Sequence, residues 1–274
     1  MSNEYTRLLI DNQGDICRVK INRPGDRNSI DTTLMDELED LLENIKQTQC
    51  RVIVFTGAGD AYFIGGADGV EMMQCGPAEA KAFSVRIQNL FNRMEASSLI
   101  LVAAINGICL GGGFEFALAC DLRVAGEAAR IGLPEVKVGI IPGGGGTQRL
   151  PALVGTGRAM EMILSGKLYA AKDAHDMGLI HKVVPSHELS SEVDKILEPI
   201  LRNPQHALSQ AKRAVRAAQN QSFADGLQIE NDAFSRCFKH GYFVELMHRQ
   251  LKEGVLQTTV RLPDWVYQAG EQDL

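Results

Sequence analysis

The segment Val102 to Leu122, VAAINGICLGGGFEFALACDL, holds a glycine triplet, Gly111 to Gly113, a glutamate, Glu115, and a closing Cys120-Asp121 pair. Glycines where a helix begins leave backbone N–H groups without intrahelical partners, and such donors together with the helix dipole can bind an oxyanion. Glu115 falls within one turn of those donors, where a carboxylate could act as a base on the molecule whose carbonyl they hold. A glycine-rich helix start is also a packing device, so on this spacing alone both readings stand. About twenty residues further on, Glu135 follows Pro134; it is either a second acid/base group or a surface glutamate in a loop. A second glycine cluster, Gly143 to Gly146, has the look of a phosphate cradle, but Gly146 leads into Thr147-Gln148 and not into the Lys-Ser/Thr ending of a P-loop. There is no HExxH and no GxSxG, and the six cysteines (17, 50, 75, 109, 120, 237) never come within ten residues of one another, so no zinc-finger pair exists.

These residues need elements to hold them. Asp15 to Asn22 alternate so that Cys17, Val19 and Ile21 share one face, the period-two pattern of a strand. Arg23-Pro24-Gly25-Asp26 breaks it. From Asp31, the residues Leu34, Leu38, Leu41, Leu42 and Ile45 form one apolar stripe, which predicts a helix capped by Asp31 or Thr32. Val52 to Phe55 form a short apolar strand, which completes a βαβ-like unit and points to a largely parallel sheet. A helix near Ala78 to Glu95, a strand over Leu99 to Ile105, an Asn106-Gly107 turn and a helix over Phe114 to Cys120 follow. A third apolar segment, Val136 to Ile141, runs into Pro142 and the four glycines, and a helix begins near Thr147. Beyond residue 157 the pattern is helical (157–164, 171–177, 188–201, 204–219, then 222–254 in more than one piece), with one strand at Ile180 to Val184. The expected architecture is α/β, with a core over residues 1–190, a helical region over 191–274, and an irregular end from Val260 with Pro263 and Trp265.

Composition narrows the function classes. With 274 residues, 45% hydrophobic and 23% charged, the chain can bury a sizeable core and has no bias toward disorder. Its net charge of -6 disfavours a general nucleic-acid surface. Lys212, Arg213 and Arg216 form the one local basic run, which reads as a solvated helix face or, as the rival, an RNA-contacting patch on a non-catalytic binding protein. The N-terminal sequence lacks a secretory pattern, and no stretch reaches about 18 uninterrupted apolar residues. The expectation is a cytoplasmic protein with reduced thiols, not integral to a membrane. Cys109, Cys120 and the nine methionines read as packing.

The glycine-rich segment resembles the signature of the crotonase superfamily, the enoyl-CoA hydratase/isomerase family. The likeness extends through Asn22-Arg23-Pro24, Val54-Phe55-Thr56-Gly57, Gly65-Gly66-Ala67-Asp68 and Gly132-Leu133-Pro134-Glu135. It continues in Gly139-Ile140-Ile141-Pro142-Gly143, Gly146-Thr147-Gln148-Arg149-Leu150 and Ala174 to Leu179, so ordered motifs cover about residues 8 to 220. The resemblance implies a spiral of ββα turns, with C-terminal helices that make a homotrimer or, as a dimer of trimers, a homohexamer. It implies an acyl-CoA thioester whose oxygen is held by the backbone N–H groups of Ala67 and Gly112. Glu115 then handles the water and Glu135 the α-proton, with coupled protonation if both share one water. The implied substrate contacts are Arg27, Gly66, Asp68 and Gly143, with Asp68 and Asp121 serving mainly as structural hydrogen-bonding residues.

Three departures from the family pattern stand out. Gly25-Asp26-Arg27-Asn28-Ser29 replaces a small apolar loop, which makes Arg27 a candidate for the adenine side of the nucleotide. Val70 stands where hydratases often have a lysine. Phe238 to Leu274 offers Phe243-Val244-Glu245 and a longer tail in place of the usual Phe-x-Glu-Lys-Arg ending. The expected activity is reversible hydration of a 2-enoyl-CoA to a 3-hydroxyacyl-CoA in fatty acid metabolism, with no metal and no redox cofactor, coenzyme A being part of the substrate. The rivals are enoyl-CoA isomerisation and hydration of an unusual cyclic or branched enoyl thioester.

Overall fold

The first two strands, β1 (Leu8–Gln13) and β2 (Ile16–Ile21), form an antiparallel hairpin turning at Gly14, where φ is 76°. Cys17, Val19 and Ile21 of β2 are all fully buried, as their alternation predicts. Helix α1 (Thr32–Asn44) is capped by Asp31, whose carboxylate accepts from the Leu34 N–H at 2.7 Å, and it buries Leu34, Leu38, Leu41 and Leu42. The computed structural model describes residues 5–256, and the expected irregular tail with Pro263 and Trp265 lies outside the described residues.

From β3 (Val52–Gly57) onward the chain repeats one manoeuvre. It lays a strand in one sheet and a short strand in a second sheet, then returns through helix. The first turn comprises β3, β4 (Tyr62–Ile64), α2 (Gly69–Met72) and α3 (Pro77–Ala96). The second comprises β5 (Ile100–Ile105), β6 (Ile108–Leu110) and α4 (Gly112–Ala119). The third comprises β7 (Leu122–Gly126), β8 (Arg130–Gly132), a 3-10 turn over Glu135–Val138, α5 (Gly146–Val154) and α6 (Thr156–Ser165). Then β9 (Tyr169–Ala170), α7 (Ala171–Asp176), β10 (Lys182–Val184) and α8 (Leu189–Leu201) follow. The sheets run β1-β2-β3-β5-β7-β10 and β4-β6-β8-β9. Apart from the β1–β2 and β8–β9 pairs, every pairing is parallel. This is an α/β fold with the spiral of ββα turns that the resemblance implies.

Two expectations change here. The Val136 to Ile141 segment is no core element, because Val138 and Ile141 are 77% and 68% exposed and the backbone makes a 3-10 turn. The second sheet is absent from the sequence reading, since strands of two or three residues are too short to show a period.

The chain divides into two compact units, residues 1–202 and 203–274. The division falls after α8, beyond the expected boundary at 190, because Leu189, Val193 and Leu197 are buried where α8 packs on β5 and β7. The second unit holds α9 (Gln205–Asn220), α10 (Phe223–Cys237) and α11 (Tyr242–Lys252). A 3-10 turn at Phe238–His240 and Gly241, with φ 69°, separates the last two. In α9, Lys212 is buried, Arg213 exposed and Arg216 half-buried, so the three cations do not present one solvated face. Among the described residues no helix is long and apolar enough to cross a membrane.

Candidate active site

The two backbone N–H groups expected to hold an oxyanion, those of Ala67 and Gly112, belong to two segments. In the strand-like stretch after β4, the Gly66 carbonyl accepts from the Ile30 N–H and the Asp68 N–H donates to the Ile30 carbonyl, each at 2.8 Å. Alternation along an extended chain turns the intervening Ala67 N–H to the other side. On that side lies Gly112, the first residue of α4, whose N–H has no intrahelical partner. A Cβ on Gly112 would sit 3.4 Å from the Ala67 nitrogen, so the two donor residues adjoin. The structure thus brings together the two positions that the resemblance implies.

The glycines on either side of Gly112 have different reasons. Gly111 adopts φ 51°, ψ -126°, a conformation side chains disfavour, while its N–H bonds to the Gly132 carbonyl at 3.0 Å. A Cβ on Gly113 would lie 2.1 Å from the Ile64 carbonyl oxygen, so β4 touches the helix backbone there. Deeper in, α4 is anchored by Phe116, whose ring meets Phe55, Phe63 and Phe91 edge-on with centroids 4.9, 6.2 and 5.8 Å away. At its far end the buried Arg123 guanidinium donates to the carbonyls of Ala117, Cys120 and Leu179.

Arg23 organises the approach to Ala67. Its buried guanidinium donates to the Ser29 carbonyl at 2.7 Å and to Asp68 at 2.9 Å, and it faces Asp31 at 3.4 Å. Asp68 also caps α2 through the Val70 and Glu71 N–H groups. Burial opposes its charge, but those donors and Arg23 outweigh it and hold its carboxyl below the ordinary range. Both Asp68 oxygens are therefore engaged inside the protein, which fits the structural role the sequence suggests. Arg27 is exposed with φ 59°, and its carbonyl accepts from the Gly65 N–H at 2.9 Å, two residues from the Ala67 donor.

The carboxylates sit on the other side of the donors. Glu115 is 2% exposed, and its Oε1 accepts from the N–H groups of Gly144 and Gly146 at 2.8 and 2.7 Å. Burial raises its pKa, while these two donors and the Arg149 charge pull in the opposite direction. Both donors land on Oε1, and among the described residues no protein donor reaches Oε2. Cβ atoms on Gly144 or Gly146 would come within 2.9 Å of this carboxylate, so the loop's glycines are a matter of fit.

Glu135 begins the 3-10 turn after Pro134. Its Oε1 lies 3.0 Å from where a Gly111 Cβ would be, next to the Gly112 donor. Its Oε2 is buried with no hydrogen-bond partner. Burial pushes its pKa up to about 7; the Glu115 charge adds to this, against a hydrogen bond from its own backbone. A carboxyl poised there gives up and accepts a proton at neutral pH.

The sequence reading missed the residues behind the glycine loop. The Gly143 carbonyl accepts from Ser84 Oγ at 2.7 Å and Gln88 Nε2 at 2.8 Å, and the Gly144 carbonyl accepts from Arg149 Nη1 at 2.9 Å. The four-residue step from Ser84 to Gln88 marks a polar stripe on α3, but nothing in the sequence says what that stripe faces.

A family profile described as Enoyl-CoA hydratase/isomerase matches residues 11–254. The chain belongs to this family. It is 35% identical over 236 residues to the short-chain-enoyl-CoA hydratase of Clostridium acetobutylicum, covering 86% of this chain and 90% of that protein. It is 36% identical over 235 residues to the crotonyl-CoA hydratase of Syntrophomonas wolfei, covering 85% and 90%. The crystal structure of an enoyl-CoA hydratase from Bacillus anthracis superposes with a TM-score of 0.85 at 35% identity, covering 91% of this chain and 97% of that one.

Proposed function

We propose that the chain catalyses reversible addition of water to a 2-enoyl-CoA thioester, giving the 3-hydroxyacyl-CoA. The carrying observation is the grouping of two inequivalent glutamates around a pair of converging backbone donors. The thioester oxygen sits between the N–H groups of Ala67 and Gly112. As water attacks the β-carbon, the C–O bond forms, the conjugated π electrons move onto the thioester oxygen, and the donors stabilise that charge. Loss of one such donor typically costs roughly 3 kcal/mol.

Glu115, with Oε1 pinned by the loop, offers Oε2 to orient the water and take its proton. Glu135, protonated at its unpartnered oxygen, delivers a proton to the α-carbon as the enolate collapses. Water is consumed and no electrons are transferred, so the reaction calls for neither a metal nor a redox cofactor, coenzyme A being carried by the substrate. The exposed Phe223, Phe234, Phe238 and Phe243 of the second unit support assembly into a trimer or a dimer of trimers.

The test is loss of the enone thioester ultraviolet absorbance with crotonyl-CoA, then with a panel graded by acyl length and branching. Turnover of at least one straight-chain member is expected. No hydration across the panel, or double-bond migration without water uptake, refutes the reading.

A further inference from the structure

The loop at residues 143–146 has no side chains with which to hold its own shape, yet its N–H groups must converge on one carboxylate oxygen. Its carbonyls are held from outside. Ser84 and Gln88 clasp the Gly143 carbonyl, and Arg149 takes that of Gly144. Arg149 is itself fixed in a fork: Nε to Glu95 Oε1 at 3.0 Å, Nη2 to Glu95 Oε2 at 2.9 Å, and Nη2 to Asn92 Oδ1 at 2.7 Å. Ser84, Gln88, Asn92 and Glu95 lie at steps of four, four and three along α3, so they form one stripe. Gly145 adopts φ 100°, and a Cβ there would come 2.2 Å from Arg149 Nη1, so the guanidinium fills the space against the loop.

Building on the hydratase reading, we propose that Arg149, clamped by Glu95, is a positioning residue for Glu115. It fixes the glycine loop so that two N–H groups converge on Oε1 and leave Oε2 to the reacting water. The planar guanidinium suits this because it grips a carboxylate with one edge while donating a further N–H to the loop. The same cation also faces the Glu115 charge. The other charged groups around Glu115 are Glu135, in the turn after β8, and Glu95, whose charge Arg149 already pairs. The Phe91 ring of α3 lies with Glu115 Oε2 against Gly144, and of the other elements that touch α4, β6 carries the Cys109 thiol, which burial keeps neutral.

The test compares Arg149→Gln and Arg149→Lys with wild type, reading kcat and KM for crotonyl-CoA across pH. For Arg149→Gln, kcat is expected to fall about 10- to 100-fold, the cost of a misplaced catalytic group. KM should stay within about twofold, since the Ala67 and Gly112 N–H groups are untouched and Gly143 keeps its Ser84 and Gln88 bonds. The acidic limb of kcat/KM should move up in pH, because the cation that favours ionised Glu115 is gone. Arg149→Lys keeps the charge and should restore the limb but not the full kcat. An unmoved limb with KM unchanged and kcat lowered only in step with the folded fraction overturns the proposal, as does wild-type kcat. If circular dichroism shows Arg149→Gln unfolded, Arg149→Lys carries the test, and wild-type kcat there overturns it. The carboxyl infrared band that disappears in Glu115→Gln gives an activity-independent titration. Should wild type hydrate nothing, a Glu115 band that titrates at the same pH in both Arg149 variants and wild type still refutes the positioning role separately.

Discussion

Replacing Glu135 with glutamine should stabilise the fold above neutral pH while removing the proposed proton donor. The carboxyl is raised from 4.5 to about 7 in the folded protein. Between those values the folded state binds the proton and the unfolded chain does not. Stability attributable to this group is therefore fully present below about pH 4.5 and lost as pH rises to about 7. Ionising it in the folded state costs about 3 kcal/mol before solvent is considered. The side chain is only partly buried, so screening brings this to about 1–2 kcal/mol. Glutamine keeps the shape without the charge, and Glu115 stays in both proteins, so the difference isolates position 135 and its repulsion by Glu115. Melting curves at pH 5 and pH 8 read it out. The variant should gain roughly 2–4 °C over wild type at pH 8 and much less at pH 5. A gap that is constant with pH, or that shrinks as pH rises, refutes the reasoning.

Adjacent glycines should respond differently. Gly113→Ala pushes a methyl into the Ile64 carbonyl and should cost at least about 3 kcal/mol in a denaturant titration, whereas Gly112→Ala leaves the fold intact and loses mainly kcat. Phe116→Ala, which removes the ring at the centre of three aromatic contacts, should destabilise by about 3–5 kcal/mol in the same titration. Asp31→Ala removes the cap of α1 together with a partner of Arg7 and of the buried Arg23, so in the same titration it should cost more than the about 1 kcal/mol of a lone cap.

The legible parts of this fold are those with a long enough local signal. Cys17, Val19 and Ile21 alternate over six residues, and Asp31 stands ahead of a regular leucine stripe, so β2, α1 and the cap could be read directly. The strands of the second sheet could not, because three residues such as Tyr62–Ile64 carry no period. Val136 to Ile141 misled for the opposite reason: an apolar run there is surface beside Glu135, not core. At the site, the glycine triplet and Glu115 allowed a donor-and-base arrangement through backbone chemistry, with a packing device as the equal alternative. Pairing Gly112 with Ala67, forty-five residues away, needed the resemblance, because only the return of the spiral makes them neighbours. Arg149 and the α3 stripe stayed invisible because their purpose depends on what two distant helices face.

Hydration as proposed needs both carboxyls, Glu115 to take the water's proton and Glu135 to protonate the α-carbon. The direct measurement is kcat/KM for crotonyl-CoA hydration by wild type, Glu115→Gln, Glu135→Gln and the double variant. Each single substitution should lower it by about 10²–10⁴-fold, and the double variant should lose little more than the worse single, as groups acting as a unit do. Near-wild-type rates in either single variant, or losses that multiply in the double variant, would contradict it.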